Sequence, residues 1–144
     1  MNRRGTETQR ENQITETVIG CAIEIHRALG PGLLESAYED CLCYELKEAK
    51  LSFRRQVLLP LNYKGVKLES GYIMDVVAED LIVIELKTVE RILPVHEAQL
   101  ITYLKLSGHS VGLLVNFNVA LMKSGIRRLV NEFQETSASP RLRG

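Results

Sequence analysis

Two short, almost purely apolar runs bracket a segment with helical spacing in this chain. The runs cover residues 81–86 and 111–117, and the helical segment covers about 95–106. Strands without polar alternation are typical of central strands that are covered on both faces of a sheet. A strand, helix, strand order of this length predicts a parallel crossover, which is expected to be right-handed. The segment therefore predicts an α/β fold with a buried sheet.

Two helices and several strands are expected before this segment. Apolar residues recur at helical spacing from Ile14 to Leu29, and Gly30-Pro31-Gly32 ends that helix. The second helix is expected over about 33–50. Apolar alternation then predicts strands over about 53–63, 66–68 and 71–78. With a last amphipathic helix over about 126–133, the order predicts a mixed central β-sheet flanked by α-helices.

The length and composition suit one globular domain. The chain has 144 residues, enough for a core of its own. We expect a flexible N-terminal arm over residues 1–11, the domain over 12–134 and a disordered tail over 135–144. Since the chain lacks a membrane-spanning apolar run and the polar N-terminus lacks the apolar centre of a signal peptide, we expect a cytoplasmic protein with no membrane partner.

The charge and the cysteines exclude several classes of protein. A formal net charge of zero argues against a protein that coats nucleic acid through charge alone, but bound cations could neutralise a carboxylate site locally. Three cysteines without a Cys-x-x-Cys pair do not support a disulfide framework, a four-thiolate zinc site or a four-cysteine iron–sulfur cluster. We interpret the cysteines as small buried residues on helices.

The first apolar strand ends in two charges that a buried strand should not carry. Glu85 and Lys87 are two residues apart, so they share one face of the strand, and Asp75 lies on the preceding strand. A buried charge costs stability unless it is paired or binds a metal. One interpretation is a surface salt bridge, which contributes little. The other is a site that holds a divalent metal and a water molecule beside a phosphate.

The length of the loop between the two strands separates these interpretations. A two-residue loop at Glu79-Asp80 would place Asp75 opposite Ile84 and turn its side chain away from Glu85. A three-residue loop or a β-bulge would place Asp75 opposite Glu85. Bulges are common beside active sites. The metal interpretation therefore predicts an odd loop or a bulge here.

The helices supply further candidates, each with a structural alternative. Glu35 lies beside the buried stripe of the second helix, as a partner of the other carboxylates or as an acid that favours the helix N-terminus. Gln99 and Tyr103 share one face of the following helix, as site residues or as an exposed Gln and a core Tyr. His26 is either structural at a helix interface or lines the cleft. His96 is either a surface residue or a contact to phosphate or to the site residues.

These residues lie in motifs that resemble a known family. Residues 32–38, Gly-Leu-Leu-Glu-Ser-Ala-Tyr, match the motif that names the GxxExxY family. Further similar segments are Tyr63-Lys64-Gly65, Gly71-Tyr72, Glu85-Leu86-Lys87, Pro94-Val95-His96, Ala98-Gln99-Leu100, Thr102-Tyr103-Leu104-Lys105 and Asn116-Phe117-Asn118. The resemblance covers about residues 14–133. That family is placed in the PD-(D/E)xK nuclease superfamily, and the motif order is similar to its RecB, Cas4 and lambda-exonuclease-like branch. Met74 replaces the motif's Pro, and the iron–sulfur cysteines of some relatives are absent.

The resemblance implies a restriction-endonuclease-like core and a Mg²⁺- or Mn²⁺-dependent deoxyribonuclease. Asp75 and Glu85 would coordinate the metal, with the carbonyl of Leu86 as a further ligand. Glu35 would complete the shell, directly or through water, or help to hold a second metal. Lys87 would orient the attacking water, lower its pKa or stabilise the phosphorane. These four charged residues are the implied catalytic set.

The remaining implied roles concern the substrate. Gln99 and Tyr103 would contact the DNA backbone or fix metal-bound waters, and His96, His26 and Tyr38 are further substrate-contacting or supporting candidates. The implied activity is hydrolysis of DNA phosphodiester bonds, by an exonuclease or a single-strand-preferring enzyme acting on single strands or duplex ends, with a homo-oligomer as a compatible assembly. The alternative is a noncatalytic nucleic-acid-binding or interaction module on a nuclease fold. DNA versus RNA, exo versus endo cleavage and one versus two metals stay open.

Overall fold

The computed structural model describes residues 3–131. Three α-helices, five β-strands and one short 3₁₀ helix follow one another in this part of the chain. In order they are α1 (Arg3–Leu29), α2 (Glu35–Glu48), β1 (Phe53–Tyr63), β2 (Val66–Ala78), β3 (Ile82–Lys87), α3 (Pro94–Ser107), β4 (Val111–Asn116), the 3₁₀ helix (Met122–Gly125) and β5 (Ile126–Val130). None of the helices described has both the length and the hydropathy that crossing a bilayer requires.

The five strands form one mixed sheet in the order β1-β2-β3-β4-β5. Neighbours are antiparallel except β3 and β4, which are parallel and joined through α3. One hydrophobic cluster packs α1 and α2 against one face of the sheet, and a second packs α3 against the other. The predicted crossover and the restriction-endonuclease-like α/β core are therefore confirmed.

The ends of α3 follow from local sequence. Pro94 stands in the first turn, where its missing N–H is no loss, and Gly108 ends the helix in the left-handed conformation at φ 80°. The cysteine interpretation holds for Cys21 and Cys43, since both are buried and burial raises the pKa of each thiol to about 11. Cys41 is only partly buried.

The C-terminal segment corrects one prediction. Residues 126–130 form strand β5 rather than a helix, and β5 pairs antiparallel with β4 from Val115–Ile126 to Val111–Val130. The spacing of Ile126 and Leu129 is compatible with a helix, but a strand here satisfies the backbone groups along the free edge of β4. Residues 132–144, which include the rest of that predicted helix and the predicted tail, lie outside the described residues.

The N-terminal segment also differs from the prediction. Helix α1 begins at Arg3 rather than near Ile14, so residues 3–11, predicted to be a flexible arm, continue the helix. Arg10 on this extension forms an ion pair with Glu79 in the loop between β2 and β3. The added turns therefore reach the end of the sheet at which that loop lies.

Candidate active site

The loop between β2 and β3 sets the register of the charged residues. Ala78 pairs with Ile82, Val77 with Val83 and Val76 with Ile84, so three residues form the loop. Continuing this register by one residue places Asp75 opposite Glu85. The odd loop that the metal interpretation predicted is therefore confirmed.

The conformation of this loop is strained and its side chains are held. Glu79 and Asp80 both have a φ of 53°, a left-handed conformation that is uncommon for residues other than glycine. The Glu79 carboxylate accepts hydrogen bonds from the backbone N–H of Ser52 at 2.6 Å and from its hydroxyl at 3.0 Å. Asp80 contacts Arg54 at 3.1 Å and His109 at 3.2 Å. These contacts stabilise the three-residue loop, which sets the register between β2 and β3.

Asp75 and Glu85 are joined through each other's strand. The backbone N–H of Asp75 donates to the Glu85 carboxylate at 3.0 Å, and the backbone N–H of Leu86 donates to the Asp75 carboxylate at 2.8 Å. Each carboxylate is thus fixed by an N–H group from the neighbouring strand. Glu85 is buried and Asp75 is partly buried, so two carboxylates share a region from which water is largely excluded.

The electrostatics of this pair favour a bound cation. Burial, followed by the charge of Asp75, raises the pKa of Glu85 to about 8. Burial also raises the pKa of Asp75, with further contributions from the charges of Glu39 and Glu35. Lys87 lowers the pKa of both carboxyls, but less than these effects raise it. The region thus carries more negative potential than Lys87 compensates, which a divalent cation would relieve.

The donor set fits a hard divalent cation. Mg²⁺ prefers oxygen ligands, is commonly held by one or two carboxylates and keeps several waters, which suits Asp75 and Glu85. Within residues 3–131, no group of three or more His, Cys, Asp or Glu side chains lies close enough to hold a metal. Glu35 is the exposed first residue of α2, so its place in the metal shell stays a prediction.

Lys87, Gln99 and Tyr103 lie beside the carboxylates. The Lys87 ammonium donates to the Gln99 side-chain oxygen at 3.4 Å. Tyr103, one turn further along α3, is 5% exposed. Burial raises the pKa of its hydroxyl, and the charges of Glu85 and Asp75 raise it further. The structure therefore brings these predicted residues together with the carboxylate pair.

A buried carboxylate that the sequence analysis missed lies next to this group. Glu39 is 7% exposed and accepts hydrogen bonds from Arg55 at 3.0 Å and Gln56 at 2.8 Å. Gln56 has a φ of 49° and lies in the register position across from Asp75, between two regular pairs of the β1–β2 ladder. Glu39 follows Glu35 by four residues, and this helical spacing was the signal that could have found it.

Tyr38 fixes the segment that precedes Glu35. Its ring is fully buried and stacks on Phe117, with centroids 4.1 Å apart and an interplanar angle of 2°. Its hydroxyl donates to the Gly30 carbonyl at 2.6 Å and accepts from the Leu33 N–H at 3.2 Å. The enclosed ring favours the supporting role over direct contact with substrate, and the role of Tyr38 at the site stays a prediction.

The two candidate histidines make structural contacts. His26 Nε2 lies 2.7 Å from the Val119 carbonyl and joins α1 to the segment after β4. Since a carbonyl only accepts, Nε2 carries the proton in this contact. His96 Nδ1 accepts the N–H of Leu93 at 2.9 Å and caps the start of α3. Roles of these residues towards substrate stay predictions.

Comparison with known proteins gives one match. A family model described as the PD-(D/E)XK nuclease superfamily matches residues 12–129. The matched segment contains Asp75, Glu85 and Lys87 and extends from α1 into β5. No curated protein and no solved structure matches the chain.

Proposed function

This chain belongs to the PD-(D/E)XK nuclease superfamily, and we propose that it is a metal-dependent nuclease that hydrolyses DNA phosphodiester bonds. Members of this superfamily generally use divalent metal ions, and membership implies a nucleic-acid substrate. Within the superfamily we assign the chain to the GxxExxY family, near the RecB-like exonucleases. The observation that carries the proposal is the pair of reciprocal N–H contacts that holds Asp75 beside Glu85.

Asp75 and Glu85 would hold Mg²⁺ or Mn²⁺, with the Leu86 carbonyl as a further ligand. Glu35 would complete the shell, directly or through water. The metal supplies Lewis-acid polarisation of the phosphoryl oxygens and lowers the pKa of a bound water. The N–H groups that fix the two carboxylates keep both oxygen donors in place before metal and substrate arrive, which reduces the reorganisation that binding would otherwise need.

Lys87 would act on the reacting phosphate through its ammonium group, because Asp75 and Glu85 are assigned to the metal. It follows Glu85 by two residues and therefore lies on the same face of β3. Gln99 holds the Lys87 ammonium at 3.4 Å, so the amide keeps the cation near the carboxylates without neutralising it. A fixed ammonium here can orient the attacking water or stabilise the charge that develops on the phosphate. Gln99 is exposed and can also contact the nucleic-acid backbone.

Digestion of end-labelled DNA tests this proposal. With Mg²⁺ or Mn²⁺ we expect cleavage of single-stranded DNA or of duplex ends, and release of mononucleotides would identify an exonuclease. Lys87→Ala and Asp75→Asn should each reduce the rate about 10²- to 10³-fold. Glu24→Gln on the exposed surface of α1 is the matched carboxylate control and should cleave at the wild-type rate. Cleavage that survives chelation, or equal cleavage by all variants, would contradict the proposal.

A further inference from the structure

The β1–β2 hairpin extends beyond the rest of the sheet. Strand β2 pairs with β3 only from Val76 to Ala78, whereas its pairing with β1 continues to Tyr63–Val66. Tyr72 lies in the part of β2 that extends past this β3 pairing, three residues before Asp75. The projecting arm therefore starts at the candidate active site.

Two tyrosines connect the carboxylate pair to the surface of this arm. The rings of Tyr72 and Tyr103 lie 5.9 Å apart at an interplanar angle of 50°. Tyr103 is 5% exposed and lies in the electrostatic field of Glu85 and Asp75, whereas Tyr72 is 38% exposed. Tyr72 thus presents an accessible aromatic surface at the edge of the site.

The charges on the arm suit a polyanion. Between Val57 and Met74 the sequence carries Lys64 and Lys67 against the single acid Glu69. Lys64 is exposed in the turn at the far end of the hairpin. A strand that leaves the carboxylate site along the arm would therefore meet an aromatic ring first and cations further out.

We propose that Tyr72 stacks on an unpaired base of the strand whose phosphate lies at Asp75 and Glu85, which makes single-stranded or unpaired ends the substrate class. The inference rests on the proposed function for the position of that phosphate. Bases stack on exposed aromatic side chains with little sequence preference, and a base inside a duplex has both faces covered by its neighbours. A covalently closed circular duplex, which has no ends and no unpaired base, therefore cannot make this contact.

The chain has no tryptophan, so a single substitution reports on this contact. Tyr72→Trp, in a Lys87→Ala background that limits cleavage, should lose fluorescence when an oligothymidine single strand is added with Mg²⁺. A relaxed, covalently closed circular duplex at the same nucleotide concentration should leave the fluorescence unchanged. Tyr44→Trp in the same background is the matched control, because Tyr44 is 62% exposed on α2, and neither DNA should quench it. Equal quenching by duplex and single strand would overturn the inference.

Affinity gives a second measurement. Tyr72→Leu keeps an apolar side chain in the strand but removes the ring, and should weaken binding of oligothymidine about 5- to 150-fold, the equivalent of about 1–3 kcal/mol for one stacked base. Tyr72→Phe keeps the ring, so its affinity for oligothymidine should stay within about twofold of the wild-type affinity. If Tyr72 acted through its hydroxyl instead, Tyr72→Phe would bind oligothymidine more weakly. Unchanged affinity in a folded Tyr72→Leu variant would overturn the inference.

The outcomes separate this inference from the nuclease proposal. Tyr72-dependent binding of single strands without metal-dependent cleavage would support the stacking role and reject catalysis. Cleavage of single strands at the wild-type rate and affinity by Tyr72→Leu would support catalysis and reject the stacking role. A dimer in sedimentation that Tyr72→Leu dissociates, with no quenching by oligothymidine, would assign the arm to a second copy of the chain and also reject it.

Discussion

Asp75 and Glu85 hold each other in place through the backbone of the opposite strand: Asp75 donates its N–H to the Glu85 carboxylate at 3.0 Å, and the residue after Glu85 donates its N–H to the Asp75 carboxylate at 2.8 Å. This arrangement exists only in the register that a three-residue loop gives. A shift of one residue would turn one of the two side chains to the opposite face of the sheet. The geometry of the candidate site therefore depends on the loop at residues 79–81.

The first prediction concerns the contacts that hold this loop. Glu79→Ala removes the hydrogen bonds to Ser52 and the ion pair with Arg10, and we expect a loss of about 1–3 kcal/mol in the free energy of unfolding. The Ser52 bonds lower the pKa of Glu79, so its contribution is present above the unfolded pKa and is lost as pH falls through the lower folded value.

Denaturant unfolding at neutral and acid pH checks this prediction. The difference between wild type and Glu79→Ala should be full near neutral pH and should shrink in acid. Glu69→Ala on the exposed hairpin is the control and should stay close to wild type at both pH values. A difference of the same size throughout would show that the Glu79 charge is not what stabilises the loop.

The second prediction concerns the buried acid of β3. The pKa of folded Glu85 is about 8, above the ordinary value of 4.5, so the folded state holds this proton more tightly than the unfolded state. This contribution to stability is complete below the unfolded pKa and is lost as pH rises through about 8. In metal-free buffer the melting temperature should fall over this range, and Glu85→Gln should flatten the fall. Thermal unfolding between about pH 5 and about pH 8.5 measures it.

Divalent metal should oppose the same fall. A cation that binds the ionised pair stabilises the folded state in proportion to its occupancy, so Mg²⁺ should raise the melting temperature more at about pH 8 than at about pH 5. Glu85→Gln should lose most of this increase. An equal increase in both proteins would contradict a metal site at Glu85.

The third prediction concerns Tyr38, whose hydroxyl fixes the segment that precedes Glu35. Tyr38→Phe removes the hydroxyl that bridges Gly30 and Leu33, and we expect a loss of about 1–2 kcal/mol in unfolding free energy because buried backbone groups lose a partner. This bridge fixes the segment that leads into α2, where the proposed ligand Glu35 lies. The affinity for Mg²⁺ should therefore also fall, by about tenfold, as is typical when a residue that orients a metal ligand is removed. Tyr44→Phe, at an exposed position on the same helix, should change neither quantity.

The fourth prediction concerns the acid that the sequence analysis missed. Glu39→Gln keeps a side-chain oxygen for Arg55 or Gln56 and removes one negative charge that raises the pKa of Asp75. The pKa of Asp75 should fall towards its ordinary value, and the affinity for Mg²⁺ should weaken about tenfold because the site becomes less negative. Asp40→Asn removes the exposed partner of Arg55 and is the control. Equal effects of both variants in a Mg²⁺ titration would assign the change to Arg55 rather than to Glu39.

Local patterns predicted the core of the fold. The apolar strands on either side of α3 are enough by themselves to predict a buried central sheet, because a fully apolar strand must be covered on both faces. The loop of three residues could also be predicted, since a two-residue loop separates Asp75 from Glu85. Strand β5 could not, because Ile126 and Leu129 suit a helix and only the distant edge of β4 favours a strand.

The missing parts of the site depend on contacts between distant segments. The buried carboxylate of Glu39 is stabilised by hydrogen bonds from Arg55 and Gln56 on β1. Gln56 makes its hydrogen bond from a left-handed backbone conformation, which the local sequence does not predict. The contact between Tyr72 and Tyr103 joins β2 to α3 in the same way. Such pairings require the assembled sheet, so residue spacing alone cannot reveal them.

The most direct test of the account is the position of Mn²⁺ in crystals of the wild-type protein soaked in that ion. Metal binding by this pair should give an anomalous peak between the carboxylates of Asp75 and Glu85, with the Leu86 carbonyl among the ligands, and the peak should be lost in Asp75→Asn. A peak at another set of residues, or none there at a concentration that supports cleavage in solution, would contradict it.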